Sequence, residues 1–150
     1  MKRFATTTTI RAPAARIWSL LTDAAGYPGW NSTVARINGD IIPGGRITVH
    51  VRPAAGRAFP LRVVEFEPAR RMVWTGGMPF GLFVGRRVFT LAPAAAPAAG
   101  EGAGEGAVAF TMEEAFTGLL APLIARSIPD LQPAFDRFAA DLRHAAEAAG

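Results

Sequence analysis

Arg87 and Glu114 are the charged side chains that the sequence places on otherwise apolar strand faces. Arg87 alternates in step with Phe89, and Glu114 alternates in step with Met112. If these two segments form a hairpin closed by residues 93–106, Arg87 lies opposite or one step diagonal to Met112 and Glu114. Burying either charge alone is costly, so the pattern predicts that the two pair with each other.

This predicted pair supports three interpretations. It would orient a ligand carboxylate, phenol or carbonyl inside an apolar cavity. It would act as a structural ion pair at the rim of that cavity. In an enzyme, Arg87 would polarise a carbonyl while Glu114 moves a proton, since arginine itself stays charged at any working pH.

Aromatic and other apolar residues are expected to line the cavity with this pair, although such residues are more often ordinary core. Tyr27 is expected to turn its hydroxyl to solvent rather than to a ligand. Residues 78–81 (MPFG) suggest a flexible lip over the entrance, because glycine and proline flank Met and Phe. The predicted lining comprises Tyr27, Trp30, Trp74, Met78, Phe80, Phe83, Phe89, Phe110, Met112, Phe116, Leu120 and Ile124.

Several other kinds of chemistry have no support in the sequence. His50 falls on an outer strand face and His144 beside the polar face of a helix, so both are expected to be solvated. With two isolated histidines and no cysteine, we expect no metal, and with no nucleotide fingerprint we expect no cofactor. The net charge of +4 is scattered rather than clustered, so we expect no nucleic acid partner.

Length and composition favour a single domain over residues 1–150. No apolar run is long enough to span a membrane. The N-terminal residues lack the features of a signal peptide, so a cytoplasmic location is expected. The sequence allows a homodimer but contains nothing that requires one.

Up to residue 117, most segments alternate between apolar and polar residues with a period of two, which predicts strands. Helices are expected at Ala14 to Thr22 and, as a short helix or turn, at Ala24 to Asn31. Residues 93–106 are low-complexity and are expected to form a mobile hairpin loop. The expected strands are Phe4 to Ile10, Val34 to Asn38, Arg46 to Arg52, Phe59 to Glu67, Arg71 to Thr75, Phe83 to Ala92 and Ala107 to Phe116.

The last third of the chain, Gly118 to Gly150, is predicted to contain one continuous amphipathic helix. Its large apolar residues recur at steps of three and four, which puts them on one face. A sheet with one apolar face needs such a partner, so we predict a curved antiparallel sheet that grips this helix. The apolar stripe consists of Leu120, Ile124, Ile128, Leu131, Phe135, Phe138 and Leu142.

Several segments together resemble the polyketide cyclase/START-like superfamily, SRPBCC. They are Ile10 to Trp18 (IRAPAARIW), Tyr27 to Asn31 (YPGWN), Pro68 to Trp74 (PARRMVW), Gly85 to Leu91 (GRRVFTL) and Glu114 to Leu120 (EAFTGLL). The resemblance implies an α+β helix-grip fold, with about six or seven antiparallel strands around a C-terminal helix and two short helices after strand 1. Relatives often have His where this chain has Arg87, which makes proton transfer at that position doubtful.

The resemblance implies a function only in broad terms. Members include polyketide cyclases and aromatases, lipid and hormone binders, and co-chaperone-like proteins, and they share no single catalytic signature. The favoured expectation is binding of a hydrophobic or aromatic small molecule, lipid- or polyketide-like, without chemistry. The alternatives are a polyketide cyclase or aromatase-like enzyme and a co-chaperone-like interaction module.

Overall fold

Strands and helices follow one another in the predicted order. The structure, a computed structural model, describes residues 2–52, 58–94 and 107–148. The strands are β1 (Lys2–Arg11), β2 (Val34–Asn38), β3 (Arg46–Val51), β4 (Ala58–Glu67), β5 (Arg71–Gly77), β6 (Val84–Pro93) and β7 (Ala107–Thr117). The helices are α1 (Ala14–Thr22), α2 (Tyr27–Trp30), α3 (Ala121–Ile124) and α4 (Gln132–Ala148), with 3₁₀ turns at Ala24–Gly26, Pro79–Gly81 and Ala125–Ser127.

The seven strands form one curled antiparallel sheet in the order β1-β7-β6-β5-β4-β3-β2. Helix α4 lies on its inner face, so the predicted α+β helix-grip architecture is confirmed. Within the described residues, no helix is long and apolar enough to span a membrane. Residues 95–106 of the expected low-complexity loop lie outside the described residues.

Alternation along β6 and β7 follows the predicted period of two. Phe89 and Leu91 are buried on the inner face of β6, and Phe110 and Met112 are buried opposite them on β7. Because cross-strand partners point to the same face of a sheet, this register brings the inner faces of both strands into one core.

The alternation of β4 predicts that Glu65 shares a face with Phe59, Leu61 and Val63, and this prediction is wrong beyond Val63. The register with β5 shifts between Val63 and Glu65, which is the signature of a β-bulge. One extra residue reverses the faces that follow, so Glu65 lies on the outer face and Phe66 turns inward. The ring of Phe66 packs 5.3 Å from that of Trp18 on α1.

The prediction of a single helix in the last third of the chain is also wrong. The chain forms α3 and a 3₁₀ turn, leaves helical geometry at Ile128, and resumes as α4 at Gln132. Pro129 explains the break, because proline disfavours helical geometry in the residue before it. The Asp130 carboxylate then accepts a hydrogen bond from the Gln132 amide at 3.0 Å, which helps α4 to begin.

Specific hydrogen bonds form at the start of α1 and join α1 to the last turn of α4. Helix α1 starts as predicted at Pro13, whose carbonyl accepts from the amides of Arg16 and Ile17. The Arg16 guanidinium donates to the carbonyls of Ala145 and Ala146 in the last turn of α4, at 3.2 and 2.9 Å. These carbonyls have no partner within the helix, so Arg16 satisfies them and complements the negative end of the helix dipole.

Candidate functional site

The polar centre of the inner face is the pair Arg87–Glu114. The two residues are direct cross-strand partners on β6 and β7, as the sequence predicted. Both Nε and one terminal nitrogen of Arg87 lie 2.7 Å from Oε1 of Glu114. The two side chains are only 24% and 15% exposed, so the pair is largely removed from water while remaining reachable.

Aromatic rings enclose this pair on two sides. The ring centre of Phe135 on α4 lies 4.9 Å from the guanidinium carbon, which is a cation–π contact. Phe83 and Phe116 stack on each other at 5.6 Å toward the end of the sheet that carries the β5–β6 loop. Gly85 lies close to both Phe116 and Glu114, since a Cβ there would lie 3.2 Å from the Phe116 ring and 3.3 Å from Oε2 of Glu114.

The middle of the space between sheet and α4 is filled by side chains. Trp74 and Phe89 meet edge to face at 4.7 Å, and Phe138 of α4 packs against Phe89 and Phe110. Phe89, Phe110 and Met112 are completely buried. These predicted lining residues therefore form a packed aromatic floor below the Arg87–Glu114 pair.

Tyr27 does not point to solvent, so that expectation is wrong. Its side chain is completely buried, and its hydroxyl donates to the Leu21 carbonyl at 2.8 Å. Burial raises the pKa of the Tyr27 hydroxyl far above its usual range, and the nearby positive charge of Arg87 opposes that rise. The hydroxyl is thus a neutral structural donor that joins α2 to α1.

Two indole N–H groups in this region have no hydrogen-bond partner among the described residues. They are Nε1 of Trp30 and Nε1 of Trp74, and both atoms are buried. Each ring lies next to Tyr27, at 4.9 and 6.4 Å, and Trp74 is the cross-strand partner of Arg87. A buried donor without an acceptor is costly, so both positions suit an oxygen acceptor brought from outside.

The remaining predicted residues lie at the open end of the sheet. Met78 and Phe80 of the β5–β6 loop are exposed, and Leu120 and Ile124 are half-buried. The Leu120 amide donates to the Leu82 carbonyl at 2.7 Å, which ties the start of the C-terminal segment to this loop. Met78, Phe80, Leu120 and Ile124 therefore border the open end and not the packed floor.

A groove that the sequence did not suggest lies between β1 and α4. This groove has a volume of about 420 Å³ and is mostly polar. Its carboxylates are already engaged, because Asp136 accepts from Thr6 and Glu147 accepts from the Arg11 amide. The groove is lined by Thr6, Thr7, Thr8, Asp136, Ala139, Ala140, Arg143, His144 and Glu147.

Both histidines lie outside the Arg87–Glu114 region. His144 is exposed on α4, and half-buried His50 has its Nε2 atom 3.2 Å from the Asn38 amide nitrogen. Across the described ranges, no three His, Asp or Glu side chains converge into a group that could hold a metal ion.

The sequence matches the family described as polyketide cyclase/dehydrase and lipid transport over residues 1–147. The chain belongs to this family. No curated protein matches the sequence. The family assignment supports a ligand-binding or cyclase-like role in general terms.

Solved structures with the same fold agree with the family assignment. Protein MLL2253 from Mesorhizobium loti is 16% identical, with a TM-score of 0.74 and coverage of 99% of each chain. DynU16 of the dynemicin biosynthetic locus is 17% identical, with a TM-score of 0.68 over 99% of this chain and 48% of its own. Norcoclaurine synthase from Thalictrum flavum, solved with dopamine and hydroxybenzaldehyde, is 11% identical, with a TM-score of 0.67 over 99% of this chain and 88% of its own.

Proposed function

We propose that this protein binds a small apolar or aromatic molecule that carries an oxygen acceptor, at the open end of the space between the sheet and α4. The observation that carries the proposal is the half-buried Arg87–Glu114 pair, whose cross-strand neighbour Trp74 has a buried indole donor without an acceptor among the described residues. Ligand sites in proteins are typically apolar, with a few polar groups that fix orientation. Phe83, Phe116 and Phe135 supply apolar walls around this pair.

The charges favour a particular class of ligand. Arg87 is always protonated, and Glu114 already accepts from two of its nitrogens through a single oxygen. A ligand carboxylate, phenol or carbonyl would therefore bind the remaining guanidinium N–H groups, and it would reach the buried indole N–H groups once neighbouring side chains move. An apolar molecule without oxygen would leave the buried Trp donors unpaired, so it should bind more weakly.

Catalysis of the cyclase type would use the same pair. Arg87 would polarise a carbonyl, and Oε2 of Glu114, which faces Gly85, would take the proton. We favour binding because two nitrogens of Arg87 already bind the other oxygen of the carboxylate, Oε1, so that this oxygen is held in the ion pair. The neighbouring Tyr27 hydroxyl is occupied by Leu21 and does not provide a second acid.

The test compares naphthalene, 1-naphthol and 1-naphthoate as probes, with tryptophan fluorescence and thermal shift as readouts. Wild-type protein should bind the two oxygen-bearing probes at least about tenfold more tightly than naphthalene, the gain expected from one hydrogen bond to a charged group. Arg87→Met and Trp74→Phe should each remove most of that preference. Arg137→Met, which removes an exposed arginine on the outer side of α4, should bind like wild type.

Each outcome decides the proposal. Equal affinity for all three probes, or no binding of any of them, would overturn it. Unchanged binding by Arg87→Met would remove the pair from the site. Because Trp74 Nε1 has no acceptor to lose among the described residues, Trp74→Phe should remain folded, which urea unfolding will verify.

A further inference from the structure

Four exposed apolar side chains meet at the open end of the sheet. We call Met78, Phe80, Leu119 and Leu123 the mouth patch; they are 45%, 97%, 83% and 67% exposed. They lie on two segments that are held together, because the Leu120 amide bonds to the Leu82 carbonyl. Gly118 also packs directly on the loop, since a Cβ there would lie 2.6 Å from the Gly81 carbonyl oxygen.

Folding alone does not account for Phe80. Its backbone has φ +61°, the left-handed region that is unfavourable for residues other than glycine, asparagine and aspartate. Its ring is almost fully solvated and makes no aromatic contact with the described residues. A glycine or asparagine would adopt this turn at lower cost, so the ring contributes to something outside the fold.

The two segments that carry the mouth patch, residues 76–86 and 115–129, contain no acidic residue. Arg126, one turn after Leu123, is exposed and forms no ion pair with the described residues. Arg86, on the outer face of β6, is partly neutralised by Glu65 at 2.9 Å. An apolar patch with an unneutralised cation beside it complements an anionic surface.

We propose that the mouth patch docks on the surface of an anionic lipid bilayer. Phe80 and the two leucines would enter the headgroup region, while Arg126 would meet lipid phosphates. A second copy of the chain fits less well, because the segments of the mouth patch contain no acid that could neutralise Arg126 of the other copy. Docking on the bilayer does not involve Arg87 or Trp74, so this proposal can hold or fail independently of the proposed ligand site.

Co-sedimentation with vesicles tests the proposal, using phosphatidylcholine alone and phosphatidylcholine with phosphatidylglycerol in equal parts. Wild-type protein should bind the anionic vesicles, and binding should weaken with added salt. Phe80→Asn and Leu119→Ser should each lower the partition constant at least about tenfold, the effect of removing one buried apolar side chain. Arg126→Gln should lower it on the anionic vesicles alone.

Two controls separate docking from folding. Ile42→Ser changes an exposed apolar residue, 52% exposed in the β2–β3 loop, and should bind like wild type. Phe80→Asn should unfold at the same or a higher urea concentration than wild type, because asparagine tolerates the left-handed turn.

Three results would overturn the proposal. They are absence of wild-type binding, equal binding to the two vesicle types, and undiminished binding by Phe80→Asn. Light scattering after gel filtration provides a further check, since a dimer that Phe80→Asn dissociates would identify a second copy as the occupant and contradict lipid docking.

Discussion

The guanidinium of Arg87 lies between the carboxylate of Glu114 at 2.7 Å and the ring of Phe135 at 4.9 Å. Through these two contacts the Arg87 side chain joins strands β6 and β7 to helix α4. Because the pair is mostly screened from water, each partner depends on the other for its stabilisation.

Replacing Arg87 alone should lower the free energy of unfolding more than replacing both Arg87 and Glu114 with apolar residues. Arg87→Met leaves Glu114 half-buried without a cation, and we expect the free energy of unfolding to fall by about 1–3 kcal/mol. Arg87→Met combined with Glu114→Leu should recover most of that loss, because no uncompensated charge remains. Urea unfolding of both variants measures the difference, and simple additivity of the two substitutions would contradict it.

Tyr27 should make stability fall at high pH. Its pKa is raised in the folded protein, so the unfolded chain releases this proton first as the pH rises above about 10. The folded state is thereby destabilised relative to the unfolded state, and the stabilisation present below that pH is lost above it. Since this is the sole tyrosine, absorbance of tyrosinate should stay absent until the protein unfolds.

The matched variant for that titration is Tyr27→Phe. It should flatten the loss of stability above pH 10, and at neutral pH it should cost about 1–2 kcal/mol because the buried Leu21 carbonyl loses its donor. Appearance of tyrosinate near pH 10 in protein that is still folded would refute the assignment.

Glu65 should show a lowered pKa that depends mainly on one arginine. The hydrogen bond from Arg71 at 3.0 Å is the largest cause, and the charges of Arg71 and Arg86 contribute further. The associated stabilisation is present above the ordinary carboxyl pKa of about 4.3 and is lost as the pH falls through the lowered value. We expect Arg71→Met to raise the Glu65 pKa more than Arg86→Met.

Carboxyl chemical shifts followed by NMR through the acid range would measure the effect on Glu65. Added salt should reduce it, because the three side chains are exposed enough to be screened. If the Glu65 pKa rises more in Arg86→Met than in Arg71→Met, the hydrogen bond from Arg71 is not the main cause of the lowered pKa.

Strand alternation determined the most specific contact of the candidate site. A period of two puts Arg87 and Glu114 on the inner faces, and a short connection between two consecutive strands makes them antiparallel neighbours. The sequence therefore predicted their pairing without knowledge of the rest of the fold. The resemblance of short segments such as IRAPAARIW supplied the helix-grip architecture that surrounds them.

The predictions from sequence were wrong where one local pattern of residues is compatible with two different structures. The apolar spacing from Leu120 to Leu142 is equally compatible with one helix and with a segment that is broken before Pro129 and reaches the core from Ile128 onward. In β4, nothing in the alternation of Phe59, Leu61 and Val63 marks the extra residue that turns Glu65 outward. Pairing with β5 and packing against Trp18 decide that position.

Apart from the end of β4, the amino-acid sequence by itself determined the strand faces, the Arg87–Glu114 pair and the order of elements, since each follows from backbone period and chain connectivity. Tertiary structure alone decided the hydrogen bond of Tyr27, the two unpartnered indoles and the aromatic filling between Trp74 and Phe138. These depend on how side chains from distant segments share a limited volume, and that sharing is set by packing among all of them together rather than by any local pattern.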